Sequence, residues 1–218
     1  VFPEKLKAGD TIGLAAPAFP VSKEKRDAGA ALLERMGYHV AMGRCLKELY
    51  NFHGYLAGDA KERAMDLNRM FADPEIKAIF CARGGYGSAH IMKYLDYELI
   101  RKNPKIFVGY SDLTNLHSAL NQICGLVTFH GPMVVSNMLS DYDDYSRESL
   151  KRALEMEPGQ EMEFVNPPGK PSIGVLREGQ ARGQITGGNL SLIVGSVGTF
   201  YQPNTRGKIL FLEDIEET

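Results

Sequence analysis

One stretch of the chain, KIFVGYSDLTNLHSAL (Lys105 to Leu120), carries an apolar run straight into a helical pattern, with Ser111 at the junction. A serine at such a junction stands at the rim of a sheet, on a tight turn that projects its hydroxyl. Gly109 lets strand and helix approach closely. The backbone N–H of Asp112 then points out of a helix N-terminus, where it can bind a developing oxyanion. Two roles stay open for Ser111: a nucleophile or an ordinary helix cap. Leu113 stands where a G-x-S-x-G elbow has its second glycine, so that pattern is matched only in part.

A second stretch, CARGGYGS (Cys81 to Ser88), also follows an apolar run and opens a helix. Its glycines allow backbone N–H groups to face a ligand, and Gly85 is the candidate for a second oxyanion donor. A phosphate cradle fits poorly, because the spacing misses both G-x-G-x-x-G and the P-loop and no lysine follows. A ligand-free turn is the plain alternative. Arg83 is a candidate for gripping a substrate carboxylate, or it ties down its own loop. A third element, ILFLED (Ile209 to Asp214), puts Glu213 at the end of a strand. A hydrolase also needs a base to take the serine proton. Of five histidines, His130 is the best local candidate, since it follows Leu126 to Phe129, the expected neighbour of the Ser111 strand. Its structural alternative is a turn-forming role in His130-Gly131-Pro132.

These residues need a frame. Thr11 to Ala15, Tyr38 to Met42, Ala78 to Cys81, Lys105 to Tyr110 and Leu126 to Phe129 read as strands. Helical patterns alternate with them. Ser22 to Met36 puts Ala28, Leu32, Leu33 and Met36 on one face. Asp59 to Met70 follows with Asp59 as its cap, then Ser88 to Tyr94 and Asp112 to Ile123. Apolar, unalternating strands joined by helices imply an α/β fold with a parallel sheet covered on both faces. Ligands then bind at the carboxyl ends of the strands, where both glycine-bearing loops lie.

Composition changes near residue 139. Residues 1–139 read as the N-terminal α/β domain and 140–175 as a linker, with a short helix over Ser149 to Met156 and the Pro/Gly-rich run PGQEMEFVNPPGKP. Residues 176–218 read as an incomplete C-terminal domain, with an apolar helix pattern over Gln184 to Gly198 and a strand at Lys208 to Leu212. The chain stops six residues after that strand, too few to close a core, so a C-terminal truncation is expected.

The 218 residues carry 25 basic and 27 acidic side chains, a balance that offers no support for nucleic acid or an anionic membrane as partner. No apolar run reaches the ~20 residues of a membrane span, and the start lacks the layout of a signal peptide. Three scattered cysteines, Cys45, Cys81 and Cys124, argue against disulfides or a zinc site and suit a cytoplasmic setting. Cys81 and Cys124 read as core residues.

Taken together the motifs resemble the LD-carboxypeptidase family of serine peptidases, which includes the microcin immunity peptidases. The likeness runs through LKAGDTIGLAAPA, ARGGYGSAHIM, FVGYSDLTNLHSAL, TFHGPM, TGGNLSLIVGSVGT and KILFLEDIEE, in that order. It implies an active site between an α/β domain and a smaller C-terminal domain, with a Ser-Glu-His triad. By that resemblance the nucleophile falls on Ser111, the carboxylate on Glu213, and the oxyanion donors on the backbone of Gly85 and Asp112. The family's histidine belongs to a later segment, and His130 matches the family's HGP segment instead. The resemblance therefore implies a cytoplasmic peptidase of peptidoglycan recycling that is inactive as this chain stands. It implies a murein tetrapeptide cut before its terminal D-alanine, no metal or organic cofactor, and a homodimer. Two alternatives remain: hydrolysis of a microcin-type peptidyl-nucleotide, or a non-catalytic small-molecule binding module.

Overall fold

The structure is a computed structural model and describes residues 1–157, 159–167, 169 and 173–215. Parts of the Pro/Gly-rich run (158, 168 and 170–172) and the last three residues of the chain lie outside the described residues.

Four apolar runs build the sheet: β1 (Thr11–Ala15), β2 (His39–Met42), β3 (Ile76–Cys81) and β4 (Ile106–Gly109), and the short β5 (Phe129–His130) completes it. All pairings are parallel, in the order β2-β1-β3-β4-β5. The helices between them are α1 (Lys23–Arg35), α2 (Arg44–Lys47), α3 (Ala60–Ala72), α4 (Ser88–Ile91), α5 (Tyr97–Lys102) and α6 (Thr114–Cys124). The fold is the expected α/β class.

Side-chain alternation divides the core into two layers. On one face Ile79, Cys81 and Phe107 pack with Leu67, Met70 and Phe71 of α3 and Leu116 and Leu120 of α6. On the other, Ile12, Leu14, Ala78, Phe80, Ile106 and Val108 pack with Leu33 of α1, Val134, Leu150 and Leu154. Burial on both faces explains why these strands read as continuous apolar runs rather than alternating ones. All three cysteines are buried and free.

Local caps set the helix starts. Asp59 and Glu62 form a reciprocal capping box at α3, with bonds of 2.9 Å each way. Ser22 caps α1. Differences from the sequence reading are local. The Ser88 helix ends at Ile91 and tightens into a 3-10 turn over Met92–Tyr94. The Asp112 helix starts as a 3-10 turn, Ser111–Leu113, before α6. Helix α7 (Asp144–Leu154) begins five residues ahead of the expected Ser149, because Asp143 caps it by accepting from the Ser146 N–H at 2.8 Å.

The C-terminal part holds β6 (Ile185–Asn189), α8 (Leu190–Ser196) and β7 (Ile209–Glu213), with β6 and β7 paired in parallel. The helix pattern over Gln184 to Gly198 is thus corrected: its first part is a strand. A Cβ on Gly187 would fall 1.8 Å from the carbonyl oxygen of Phe211, so the glycine serves close strand pairing. The apolar side chains Leu210, Phe211 and Leu212 of β7 are exposed. Among the described residues no helix is long and apolar enough to cross a membrane.

Candidate active site

The carboxyl ends of β1, β3, β4 and β5 share one rim of the sheet. The loop after β4 carries Ser111, which has φ +62°, a left-handed conformation that a non-glycine residue adopts at a cost. The strain is held by what surrounds it. Asp112 is buried, and its carboxylate accepts from the Ser88 N–H at 2.9 Å. The Ser88 hydroxyl donates to the Asp112 carbonyl and accepts from Asn115 Nδ2 at 3.1 Å. These bonds lock the Ser111 turn to the loop after β3. Burial pushes the Asp112 pKa up, while the Ser88 bonds and the charge of Arg63 pull it back.

That second loop lies directly against the serine. A Cβ on Gly84 would stand 3.3 Å from Ser111 Cβ and 3.4 Å from its Oγ. The next residue, Gly85, has φ +121° and is exposed, and a Cβ there would lie 2.3 Å from the Phe19 ring. Arg83 is half-buried with its guanidinium 5.3 Å from the Phe19 ring centroid. Its Nε is buried and unpartnered, and among the described residues no carboxylate pairs with it.

Glu213 reaches the same region from the C-terminal part. Asn189 pairs with Glu213 in the β6–β7 ladder, and the Asn189 N–H donates to Thr114 Oγ1 at 3.0 Å, three residues beyond Ser111. One Glu213 oxygen, Oε1, is buried without a hydrogen-bond partner. Desolvation holds the Glu213 pKa above its ordinary value, opposed by the Asn189 side chain and reinforced by Asp214. Asp214 itself accepts from Asn189 Nδ2 at 2.9 Å and from the N–H and hydroxyl of Ser191 at 3.1 and 2.8 Å. It clamps the end of β6 to the start of α8.

The structure brings together Ser111, Asp112, Gly85 and Arg83, and it carries the Glu213 strand to the Ser111 turn. No histidine among the described residues is hydrogen-bonded to Ser111. His117 is turned inward, with Nε2 bonded to the Gly109 carbonyl and Nδ1 to the Thr128 hydroxyl, both at 2.8 Å. His130, the local candidate base, lies on the rim but packs its ring beside Tyr110 and Phe211 at 5.6 and 5.1 Å.

Three contributors escaped the sequence reading. Arg63 is 1% exposed on α3 and donates to the carbonyls of Pro17, Gly58 and Gly87. Asn189 and Phe19 act through contacts far away in sequence. Asn189 stands in the quoted TGGNLSLIVGSVGT stretch without a role of its own, and Phe19 lies one residue past LKAGDTIGLAAPA.

The chain resembles known proteins over nearly its whole length. Residues 12–131 match the LD-carboxypeptidase N-terminal domain and residues 182–218 the LD-carboxypeptidase C-terminal domain. The chain is 46% identical over 216 residues to a probable murein peptide carboxypeptidase of Bacillus subtilis (strain 168), covering 99% of this chain and 65% of that protein. It is 31% identical over 235 residues to the microcin C7 self-immunity protein MccF of Escherichia coli, covering 96% of this chain and 67% of MccF. The structure of MccF in complex with aspartyl sulfamoyl adenosine superposes with a TM-score of 0.86 at 28% identity, covering 98% of this chain and 71% of that one. A muramoyltetrapeptide carboxypeptidase from Oxalobacter formigenes gives a TM-score of 0.78 at 28% identity, covering 95% and 66%. With both domain models matched and the sheet, the serine turn and the glycine loop arranged as described, the chain belongs to the LD-carboxypeptidase family.

Proposed function

We propose that this protein is a serine carboxypeptidase that hydrolyses the L,D-amide bond before the terminal D-alanine of murein tetrapeptides, in cytoplasmic peptidoglycan recycling. The observation that carries the reading is Ser111, held at φ +62° at the carboxyl rim with its hydroxyl side facing the glycine loop. Backbone strain of this kind persists where the surroundings over-determine it, and it projects a nucleophile toward substrate.

In the proposed reaction Ser111 Oγ attacks the amide carbonyl carbon and its proton passes to an imidazole base. The N–H groups of Gly85 and Asp112 bind the oxyanion that forms. The protonated base delivers its proton to the leaving D-alanine nitrogen as the C–N bond breaks. Water then attacks the acyl-enzyme, releasing the tripeptide and restoring Ser111. Glu213 orients the base and stabilises its charge, a role supported by the unpartnered Oε1, which is free to accept an imidazole N–H. Arg83 takes the free carboxylate of the substrate, a role supported by its lack of a carboxylate partner among the described residues.

None of the described histidines is arranged as that base. The chain as it stands is therefore proposed to turn over at least ~10³-fold more slowly than one extended to the length of its relatives. Release of D-alanine from a tetrapeptide should be measured for both, with Ser111→Ala in the extended protein. Retained release in Ser111→Ala would remove Ser111 from its role.

A second reading, cleavage of a peptidyl-nucleotide, is favoured by the likeness to MccF bound to aspartyl sulfamoyl adenosine. Offering both substrates to the extended protein decides between them. Labelling of Ser111 by a serine-directed phosphonate argues against a purely binding module.

A further inference from the structure

We propose that Phe19 is a positioning residue that couples recognition of the substrate carboxylate to the shape of the oxyanion loop. The inference rests on the roles given above to Arg83 and Gly85. Phe19 lies four residues past the end of β1, in a segment pinned on both sides. The Pro17 carbonyl accepts from Arg63 Nη1 at 2.5 Å, and the Ala18 carbonyl accepts from the Ala57 N–H at 2.9 Å. The Phe19 N–H itself donates to the Gly84 carbonyl at 3.4 Å. The ring is half-buried and forms a T-shaped pair with Tyr55, with centroids 6.4 Å apart and planes at 68°.

Two parts of the candidate site meet this one ring. It fills the space where Gly85 would carry a Cβ, with Cγ at 2.3 Å and both Cδ atoms at 2.6 Å from that point. Gly85 has φ +121°, so the ring and the backbone conformation both exclude a side chain at this position. The same ring holds the Arg83 guanidinium, whose Cζ is 5.3 Å from its centroid. A ring face attracts a cation without consuming any of its N–H donors. Arg83 is thereby oriented while its donors stay available for a carboxylate. A carboxylate in place of the ring would orient the guanidinium equally well and occupy those donors. Leucine or methionine at position 19 would keep most of the apolar volume and lose the attraction for the cation.

The test measures binding, so it needs no turnover. In Ser111→Ala protein, calorimetry gives the affinity for a tetrapeptide ending in D-alanine as the free acid and as the carboxamide. The ratio of the two is the preference for the acid. Phe19→Leu and Phe19→Met are each expected to lower that preference by about five- to tenfold, and Phe19→Tyr to retain it. Two variants are used so that one misfolded protein does not decide the matter, and circular dichroism checks each. A preference unchanged in Phe19→Leu and Phe19→Met overturns the proposal. Arg83→Gln separates the two layers of the argument. If Arg83→Gln keeps the full preference, or the parent shows none, the carboxylate reading fails and the role of Phe19 fails with it. If only Arg83→Gln loses it, Arg83 stands and Phe19 does not.

Discussion

The backbone N–H of Asn189 donates to the hydroxyl of Thr114 at 3.0 Å, joining the end of β6 to the first turn of α6. Asn189 is buried and pairs in register with Glu213. This bond therefore helps decide where the Glu213 carboxylate stands relative to Ser111. Thr114→Val keeps the shape and removes the acceptor, leaving a buried N–H unpaired. That loss is expected to cost about 1–3 kcal/mol. Urea unfolding checks it: a Thr114→Val protein as stable as the parent would mean the two parts are held together by other contacts.

The strain at Ser111 predicts an inverted order of stabilities. In regular structure alanine is preferred over glycine, because glycine loses more chain entropy on folding. At φ +62° the balance reverses, since alanine pays for the left-handed conformation and glycine does not. Ser111→Gly is expected to be more stable than Ser111→Ala by about 1 kcal/mol, although both lose the hydroxyl. Midpoints from denaturant unfolding, compared at equal slope, report this directly. The usual order, with Ser111→Ala the more stable, would show that the turn relaxes to a relaxed backbone in solution.

Much of the sheet was legible because its strands are buried on both sides. Ile79 and Phe80 face opposite layers, and both are nearly inaccessible, so the run reads as uniformly apolar. The α3 start was legible because Asp59 and Glu62 cap each other within four residues. Arg63, next along the same helix, was not. Ala64, Leu67 and Met70 recur at helical spacing and pack in the core, but the carbonyls that accept from Arg63 belong to loops around residues 17, 58 and 87. Strand β6 was missed for a similar reason. Its glycines look like breaks beside an apolar helix pattern until the Phe211 carbonyl, 24 residues on, is seen against Gly187. At the site, Ser111 and Gly85 could be proposed from their junctions. The approach of Phe19 to Gly85, and the bonds of Ser88 and Asn189 to Asp112 and Thr114 beside Ser111, are tertiary and leave no local pattern.

Gly84 and Gly85 are neighbours with different tolerances. A Cβ on Gly84 meets Ser111 and Met133 at 3.3–3.4 Å, a tight contact that small shifts can relieve. A Cβ on Gly85 collides with the Phe19 ring at 2.3 Å and sits on a backbone at φ +121°. Strain and overpacking together are expected to cost Gly85→Ala roughly 2–5 kcal/mol, despite the exposure of this residue. Gly84→Ala is expected to lose at least ~1 kcal/mol less than Gly85→Ala, because its contacts lie within reach of small adjustments. Thermal melts of the two variants compare them. Equal losses would mean that Phe19 moves aside freely.

His117 makes stability fall in acid. A carbonyl only accepts, so the 2.8 Å bond to Gly109 requires a proton on Nε2, and the neutral ring then leaves Nδ1 to accept from the Thr128 hydroxyl. Protonation would place a second N–H against that hydroxyl and a charge in the core. Burial accordingly lowers the His117 pKa from 6.5 to about 4, with the Gly109 bond opposing the shift and His130 adding to it. Below pH 6.5 the unfolded chain takes up a proton that the folded ring refuses, so protons favour unfolding. The contribution is whole above pH 6.5 and is lost as pH falls from about 6.5 to about 4, amounting to about 3 kcal/mol. His117→Gln can keep a donor toward Gly109 and cannot titrate. Between pH 7 and pH 4.5 its stability should fall by about 2–3 kcal/mol less than that of the parent. Parallel pH profiles for the two proteins would show that the ring is not held neutral.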